Sequence, residues 1–307
     1  GDEWDTVMNY DAFMEPLTWF LTGMEKHSDE YREDLLGNGE AFIGAMKTHM
    51  RSLHMSALQT AMNELSNHDH SRFLTRTNHK VGRISYAGAE AASEGVNPAV
   101  MREAVAIQMT WPGAPTVYYG DEAGLCGFTD PDNRRTYPWG REDYQMIDFH
   151  RVMIRIHKNY EVLKTGSLGF LWNDYQGLCY ARFSRKEQMI VIINNQAESR
   201  DVEIQLWQAG ISRLADTKLK RIVVTSAEGF TEEPEEYTAG DIIRTTEGSL
   251  APIACLDDVP NRCERQDQCS TLEFWEGLKK VIDQYVDSVT LADLVNNHEE
   301  KCGKLNL

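Results

Sequence analysis

The chain has 307 residues, 41% of them hydrophobic and 26% charged, and a net charge of −17 at pH 7. That length and balance describe one or two folded domains and exclude disorder throughout. The charge disfavours binding to nucleic acid or to an anionic membrane surface, and the sequence holds no run of about 18 apolar residues to span a bilayer.

The N-terminal GDEWDTVMNY has no initiator Met and no basic, apolar export pattern, so the chain is expected to begin inside a longer unit or after a cleavage, and to be cytoplasmic. Residues 228–307 hold 18 acidic and 7 basic side chains, which places −11 of the charge there and marks a boundary near residue 230. Cys126 and Cys179 stand alone, whereas Cys255, Cys263, Cys269 and Cys302 crowd the last 53 residues. Reduced thiols, disulfides and metal or cluster ligation all remain open for them.

In chain order, Thr6 to Tyr10 reads as a short buried strand, followed by a helix carrying Phe42, Ile43, Met46 and Met50. LQTAMNELSNHD then runs from apolar residues into a polar turn. Pro98 to Met109 is helical with Pro in its first turn, and Ala114 to Tyr119 is β-rich. Alternating strands and helices predict parallel βα units with functional residues at the strand C-terminal ends. A helix from Asp143 to His157 follows, with Met146, Phe149, Met153 and Ile156 on one stripe. From about 160 to 227 the period changes to alternation at Val202, Ile204 and Leu206 and to short β-rich runs, which predicts an antiparallel β-sandwich. Leu272, Trp275, Leu278, Ile282, Tyr285 and Val289 form one long amphipathic helix.

Asn67-His68-Asp69-His70-Ser71-Arg72-Phe73-Leu74 falls where a strand should end; by itself a His-Asp pair there is an ordinary hydrogen-bonded turn. VMNY stands upstream of it, with WPGAPTVYYGDEAG and FTDPDNRRTYPWG downstream in that order. Together these resemble the last strands of the α-amylase-family barrel, in the wording of the neopullulanase, maltogenic amylase and cyclomaltodextrinase branch, over about residues 1 to 235. The resemblance implies an α/β fold: the last three βα units of an incomplete (β/α)8 barrel (1–157), then an antiparallel β-sandwich (158–236), then a mostly helical tail (237–307). It also implies retaining cleavage of α-glucosidic bonds, which needs two carboxyl groups about 5 Å apart. Asp69 matches the family's third carboxylate, the transition-state stabiliser, and His68 its sugar-binding neighbour. Asp130 and Arg134 match the residues that hold the next glucose, with a plain ion pair between them as the bland alternative. Asp121 and Glu122 are structural in this reading. The nucleophile's Gly-x-Arg-x-Asp segment is not in the sequence. Glu3-Trp4 imitates the acid's Glu-x-Trp setting but lies too close to Met8 to serve.

From about Tyr237 the text changes. Gly-Asp-Ile-Ile-Arg, the three cysteines, Trp275 and Leu291-Ala292-Asp293-Leu294 resemble the C-terminal half of winged-helix regulators that sense iron-sulfur clusters, nitric oxide or cysteine status. The resemblance implies Cys255, Cys263 and Cys269 as iron-sulfur ligands, with Arg262 and Arg265 favouring thiolate, and a homodimer through the 271–289 helix. Plain thiols are the alternative. The DNA-reading helices of that family are not in the chain, so no DNA binding is expected. The leading expectation is an α-glucan hydrolase portion that is inactive by itself and binds α-glucan oligosaccharides weakly; its hydrolase part needs no cofactor. The alternative is a non-enzymatic iron-sulfur or thiol sensing and dimerising module carrying an amylase remnant.

Overall fold

The computed structural model describes residues 6–211, 219–232, 238–257, 263, 265–294 and 297. They divide into two compact units, residues 1–218 with 225–229 and residues 219–224 with 230–307.

In the first unit a π-helical turn, Tyr10–Met14, runs into α1 (Glu15–Thr22), and α2 (Gly39–Met50) and α3 (Met55–Thr60) follow. α1 stops at Gly23, whose φ of +68° and whose closeness to the Tyr31 ring leave no room for a Cβ. Asn38 caps α2 by accepting from the Ala41 N–H at 3.0 Å.

β1 (Met62–Glu64) pairs in parallel with β2 (Ala114–Thr116), and Met8 forms a parallel bridge to Met62. The expected strand from Thr6 to Tyr10 is thus only this bridge, because the chain turns helical at Tyr10. The expected strand from Ala114 to Tyr119 pairs only as far as Thr116. Between β1 and β2 lie α4 (Phe73–Arg76), α5 (Ile84–Ala87) and α6 (Pro98–Thr110). α6 opens with Asn97 accepting from Ala99 N and Val100 N, and with Pro98 in its first turn.

The core is apolar and aromatic. Leu17, Phe20, Phe42, Met46, Met101, Val105 and Trp111 are buried, and Trp111 lies edge-on to Phe42 at 5.8 Å and to Tyr180 at 5.1 Å. Each such side chain contributes roughly 1.5–3 kcal/mol by leaving water.

α7 (Tyr144–Asn159), capped by Asp143, buries Met146, Phe149, Met153 and Ile156, the stripe expected for it, and Val152 as well. After α8 (Glu161–Thr165) come β3 (Ser167–Asp174), β4 (Gly177–Phe183) and β5 (Gln188–Asn194), an antiparallel sheet in the order β3-β4-β5. β4 is buried on both faces. Cys179 and Ala181 meet Leu171, Ala209, Ile204 and Leu206 on one side. On the other, the Tyr180 hydroxyl lies 2.5 Å from Thr110 Oγ1, and Arg182 donates to Thr110 O at 2.8 Å.

Within the span expected to form the sandwich, the described residues give this three-stranded sheet and, further on, a two-stranded pair of Val223–Thr225 with Phe230–Glu232. Val202–Leu206 alternates in sequence but pairs with nothing as a strand. It covers the sheet as an irregular segment that ends in a 3-10 turn, Leu206–Ala209.

β6 (Val223–Thr225) and β7 (Phe230–Glu232) pair, and the second unit goes on from β7. α9 (Ala239–Glu247) opens on a Thr238/Asp241 capping box. It packs on α10 (Leu272–Asp287), the expected long helix, and Gly240 sits where a Cβ would strike Asp287 and Val286. Arg244 bridges to Asp287 and, at 3.6 Å, to Asp283. No α10 side chain is fully buried; Phe274, Val281 and Tyr285 stand exposed.

Candidate functional site

The chain leaves β1 and turns immediately at Asn67, which is buried and uses all four of its hydrogen-bonding positions. Its Oδ1 accepts from Asp69 N at 2.9 Å and His70 N at 3.1 Å; its Nδ2 donates to the Tyr10 hydroxyl at 2.9 Å and to Glu64 Oε2 at 3.2 Å. Asn133 Nδ2 closes the loop from the other side, donating to Asn67 O at 2.9 Å and His70 O at 2.7 Å. The 67–70 turn and the 128–135 loop are thereby fixed to each other. Asp130 and Pro131 are joined by a cis peptide bond in that loop.

A second tie runs through Thr129, whose hydroxyl donates to Asp69 O and lies 2.8 Å from His27 Nδ1. A threonine hydroxyl has one proton, and the carbonyl takes it, so His27 Nδ1 must carry the proton it shares with Thr129. Arg72 supports the same loops from below. Fully buried, it donates to Asn133 O at 2.9 Å, Tyr119 O at 2.6 Å and Asp121 Oδ1 at 2.9 Å, and stacks on the Tyr118 ring at 4.1 Å. Asp121 is thus occupied as a structural partner.

On this frame four side chains stand about half exposed in one cluster. Arg134 Nε lies 2.6 Å from Asp130 Oδ1 and donates to His68 O at 3.0 Å; Arg134 Nη2 lies 3.8 Å from Asp69 Oδ1, and His68 Nε2 lies 3.5 Å from the same oxygen. The structure therefore brings His68, Asp69, Asp130 and Arg134 together, and the Asp130–Arg134 ion pair is formed. The cluster presents a carboxylate, an imidazole and a guanidinium fork to solvent, groups suited to hydroxyl recognition.

Behind it Glu64 and His70 are buried. Burial pushes the Glu64 carboxyl up, against the opposing Asn67 hydrogen bond, and pushes the Tyr10 phenol up as well. Burial, aided by the Arg76 guanidinium, pushes the His70 imidazole down to about 3.

Sequence reasoning passed over Asn67, Asn133, Thr129, His27 and Glu64. The two asparagines carried a usable signal, one at a strand end and one in DPDNRR, since asparagine satisfies a turn's backbone from its side chain. His27 carried none, being 42 residues from Asp69. Glu3 and Trp4, Arg262 and Cys302 lie outside the described residues.

Among the described residues no group of three or more His, Cys, Asp or Glu is placed to hold a metal ion. Hydrogen bonding to the Thr271 side chain and backbone pulls the Cys269 thiol below its ordinary value. No described helix is long and apolar enough to cross a membrane.

Parallel strand segments joined through helices, with polar side chains gathered beyond the C-terminal end of β1, are the arrangement of an α/β fold built from βα units. The α-amylase catalytic-domain family model matches residues 2–208, and the chain belongs to that family. It is 32% identical over 215 residues to Neopullulanase 2 of Thermoactinomyces vulgaris, covering 68% of this chain and 32% of that protein. It is 28% identical to a cyclomaltodextrinase of Thermoanaerobacter pseudethanolicus, covering 72% and 34%. The chain thus spans about a third of the length of these relatives. Among solved structures, the debranching enzyme of Nostoc punctiforme superposes with a TM-score of 0.53 at 28% identity, over 66% of this chain and 39% of that one. Residues 224–297 match the Rrf2 family model, described as an iron-dependent transcriptional regulator.

Proposed function

We propose that residues 1–235 form the C-terminal portion of an α-glucan-hydrolysing site. In it Asp69 stabilises the positive charge developing on the reacting sugar, His68 hydrogen-bonds that sugar, and Asp130 with Arg134 holds the next glucose. The observation that carries this reading is the half-exposed cluster in which Arg134 reaches Asp130, Asp69 and His68 O together. The Met8 segment, β1 and β2 are read as the last three strands of the barrel, in the register their parallel pairing gives. The neopullulanase and cyclomaltodextrinase likeness supports α-1,4 and α-1,6 glucosidic bonds as the target class.

In this reading the nucleophile Asp and the acid/base Glu are not supplied by these 307 residues, and a retaining glycosidase needs both. Assays of the chain with pullulan, starch or cyclodextrins should therefore give no hydrolysis above background, and Asp69→Asn should leave that background unchanged. Turnover that Asp69→Asn abolishes would overturn the claim that the nucleophile and acid/base are missing, while upholding the role of Asp69. Binding is a separate test: Arg134→Ala should remove whatever affinity the chain has for maltohexaose.

A second reading attaches to the tail, because α10 exposes Phe274, Val281 and Tyr285 along one helix and the regulator model covers it. There the tail pairs two copies through α10, independently of any cluster. Leu278→Glu with Tyr285→Glu should convert a dimer to a monomer in sedimentation; a wild-type chain that is monomeric at high concentration overturns this reading.

A further inference from the structure

Immediately after Arg134 the chain carries Arg135-Thr136-Tyr137-Pro138-Trp139-Gly140-Arg141. Its backbone is tied down at several points. The Tyr119 hydroxyl donates to Arg135 O at 2.8 Å; the Arg135 guanidinium binds Asp132 at 2.7 and 2.9 Å and donates to Ala89 O. Trp139 N donates to Tyr137 O at 2.9 Å, and Arg141 N to Pro138 O at 2.8 Å. On this fixed segment the Tyr137 and Trp139 rings meet at 4.5 Å and 48°. Trp139 is nevertheless 79% exposed, the most of any large hydrophobic side chain among the described residues, and Tyr144 is 67% exposed.

A single exposed aromatic needs no explanation. Two rings in contact, on a segment held by arginine, hydroxyl and backbone hydrogen bonds and continuous with the Asp130–Arg134 cluster, do. The exposed residues from 130 to 145 are polar, aromatic, Pro or Gly, with no exposed aliphatic side chain among them. A stable protein partner covers roughly 800 Å² a side, far more than two rings on an otherwise polar segment present. A pyranose ring instead offers one apolar C–H face to an aromatic and a rim of hydroxyls to groups such as Thr136 and Arg141. Trp139 is five residues beyond Arg134, at most roughly 17 Å of chain, so a short run of glucose units held at Arg134 can reach it.

We propose that Tyr137 and Trp139 form an aromatic platform that seats a glucose ring of an α-glucan beyond the unit held by Asp130 and Arg134. The proposal rests on the α-glucan reading of that cluster and adds to it a dependence on chain length.

The test is titration of the full chain with maltose and with maltohexaose, by calorimetry and saturation-transfer NMR. Trp139→Ala should weaken maltohexaose binding about tenfold or more while leaving maltose unaffected, and Trp139→Phe should keep most of the affinity. Circular dichroism should be unchanged, since the side chain is exposed. Maltohexaose binding by Trp139→Ala equal to wild type overturns the platform and leaves the α-glucan reading standing on the Arg134→Ala result. Loss in Trp139→Ala with no effect of Arg134→Ala overturns that reading, and with it the platform as an extension of the Arg134 position. A wild-type chain that binds no maltohexaose overturns both.

Discussion

His70 is 4% exposed, edge-on to Tyr10 at 4.9 Å and to His27 at 4.7 Å, and its Nδ1 has no hydrogen-bond partner. Burial opposes a charge on the ring most, and the neighbouring Arg76, His27, Lys26 and His68 side chains oppose it as well. Because the folded value is about 3 and the ordinary one 6.5, the native state binds fewer protons than the unfolded state between those pH values. Stability must therefore fall as pH drops from 6.5 toward 3. Glu64 has the opposite sign. Raised by burial above its ordinary 4.5, it contributes stability at low pH that is lost as pH rises through its folded value. Acidification should reverse the Glu64 loss while the His70 effect grows. Between pH 6.5 and 4 the His70 contribution is on the order of 3 kcal/mol. Urea unfolding of wild type and His70→Asn at both pH values checks this: the variant should lose much of the acid-side decline, and equal declines in the two proteins would refute the assignment.

At the level of elements, Trp111 joins what the chain order separates. It is 0% exposed and touches Phe42 on α2, Phe170 on β3 and Tyr180 on β4, immediately after the end of α6. Trp111→Ala should cost roughly 3–5 kcal/mol. Since β4 is bonded to Thr110 through Tyr180 and Arg182, the sheet and the α6 region should lose structure in one transition. Two separated melts followed by near- and far-ultraviolet circular dichroism would show that the seam is weaker than these contacts imply.

The helices were legible from periodicity and, at α6, from proline. The α7 stripe of Met146, Phe149, Met153 and Ile156, and Pro98 in the first turn of α6, were written in the sequence. The β segments were less so. Val202, Ile204 and Leu206 alternate as a strand would, yet alternation states only that one side faces apolar surface, and an irregular segment lying on β3-β4-β5 satisfies it equally. At the site, the exposed cluster was legible as residue types in order. Its supports at His27 and Thr129 were not, because they act through a backbone carbonyl, which no residue type announces.

For the whole molecule the decisive feature is what the described residues leave uncovered. Parallel sheets are normally covered on both faces by crossover helices, and a strand edge with unpaired N–H and C=O groups is a template for association. Here the ladder contains the Met8 bridge, β1 and β2, and Val7, Val117 and Tyr119 beside it are exposed. α10 adds a separate exposed apolar stripe. The full chain should therefore self-associate in sedimentation velocity as its concentration rises and bind a hydrophobic dye strongly. Leu278→Glu with Tyr285→Glu divides the two sources. If α10 alone is responsible, that double variant sediments as a monomer and its dye binding falls. If the open parallel ladder contributes, association persists in the double variant and falls instead when Val117→Lys and Val7→Lys place charges beside the ladder. A wild-type chain that is monodisperse, binds little dye and melts cooperatively would mean that these edges and faces are covered.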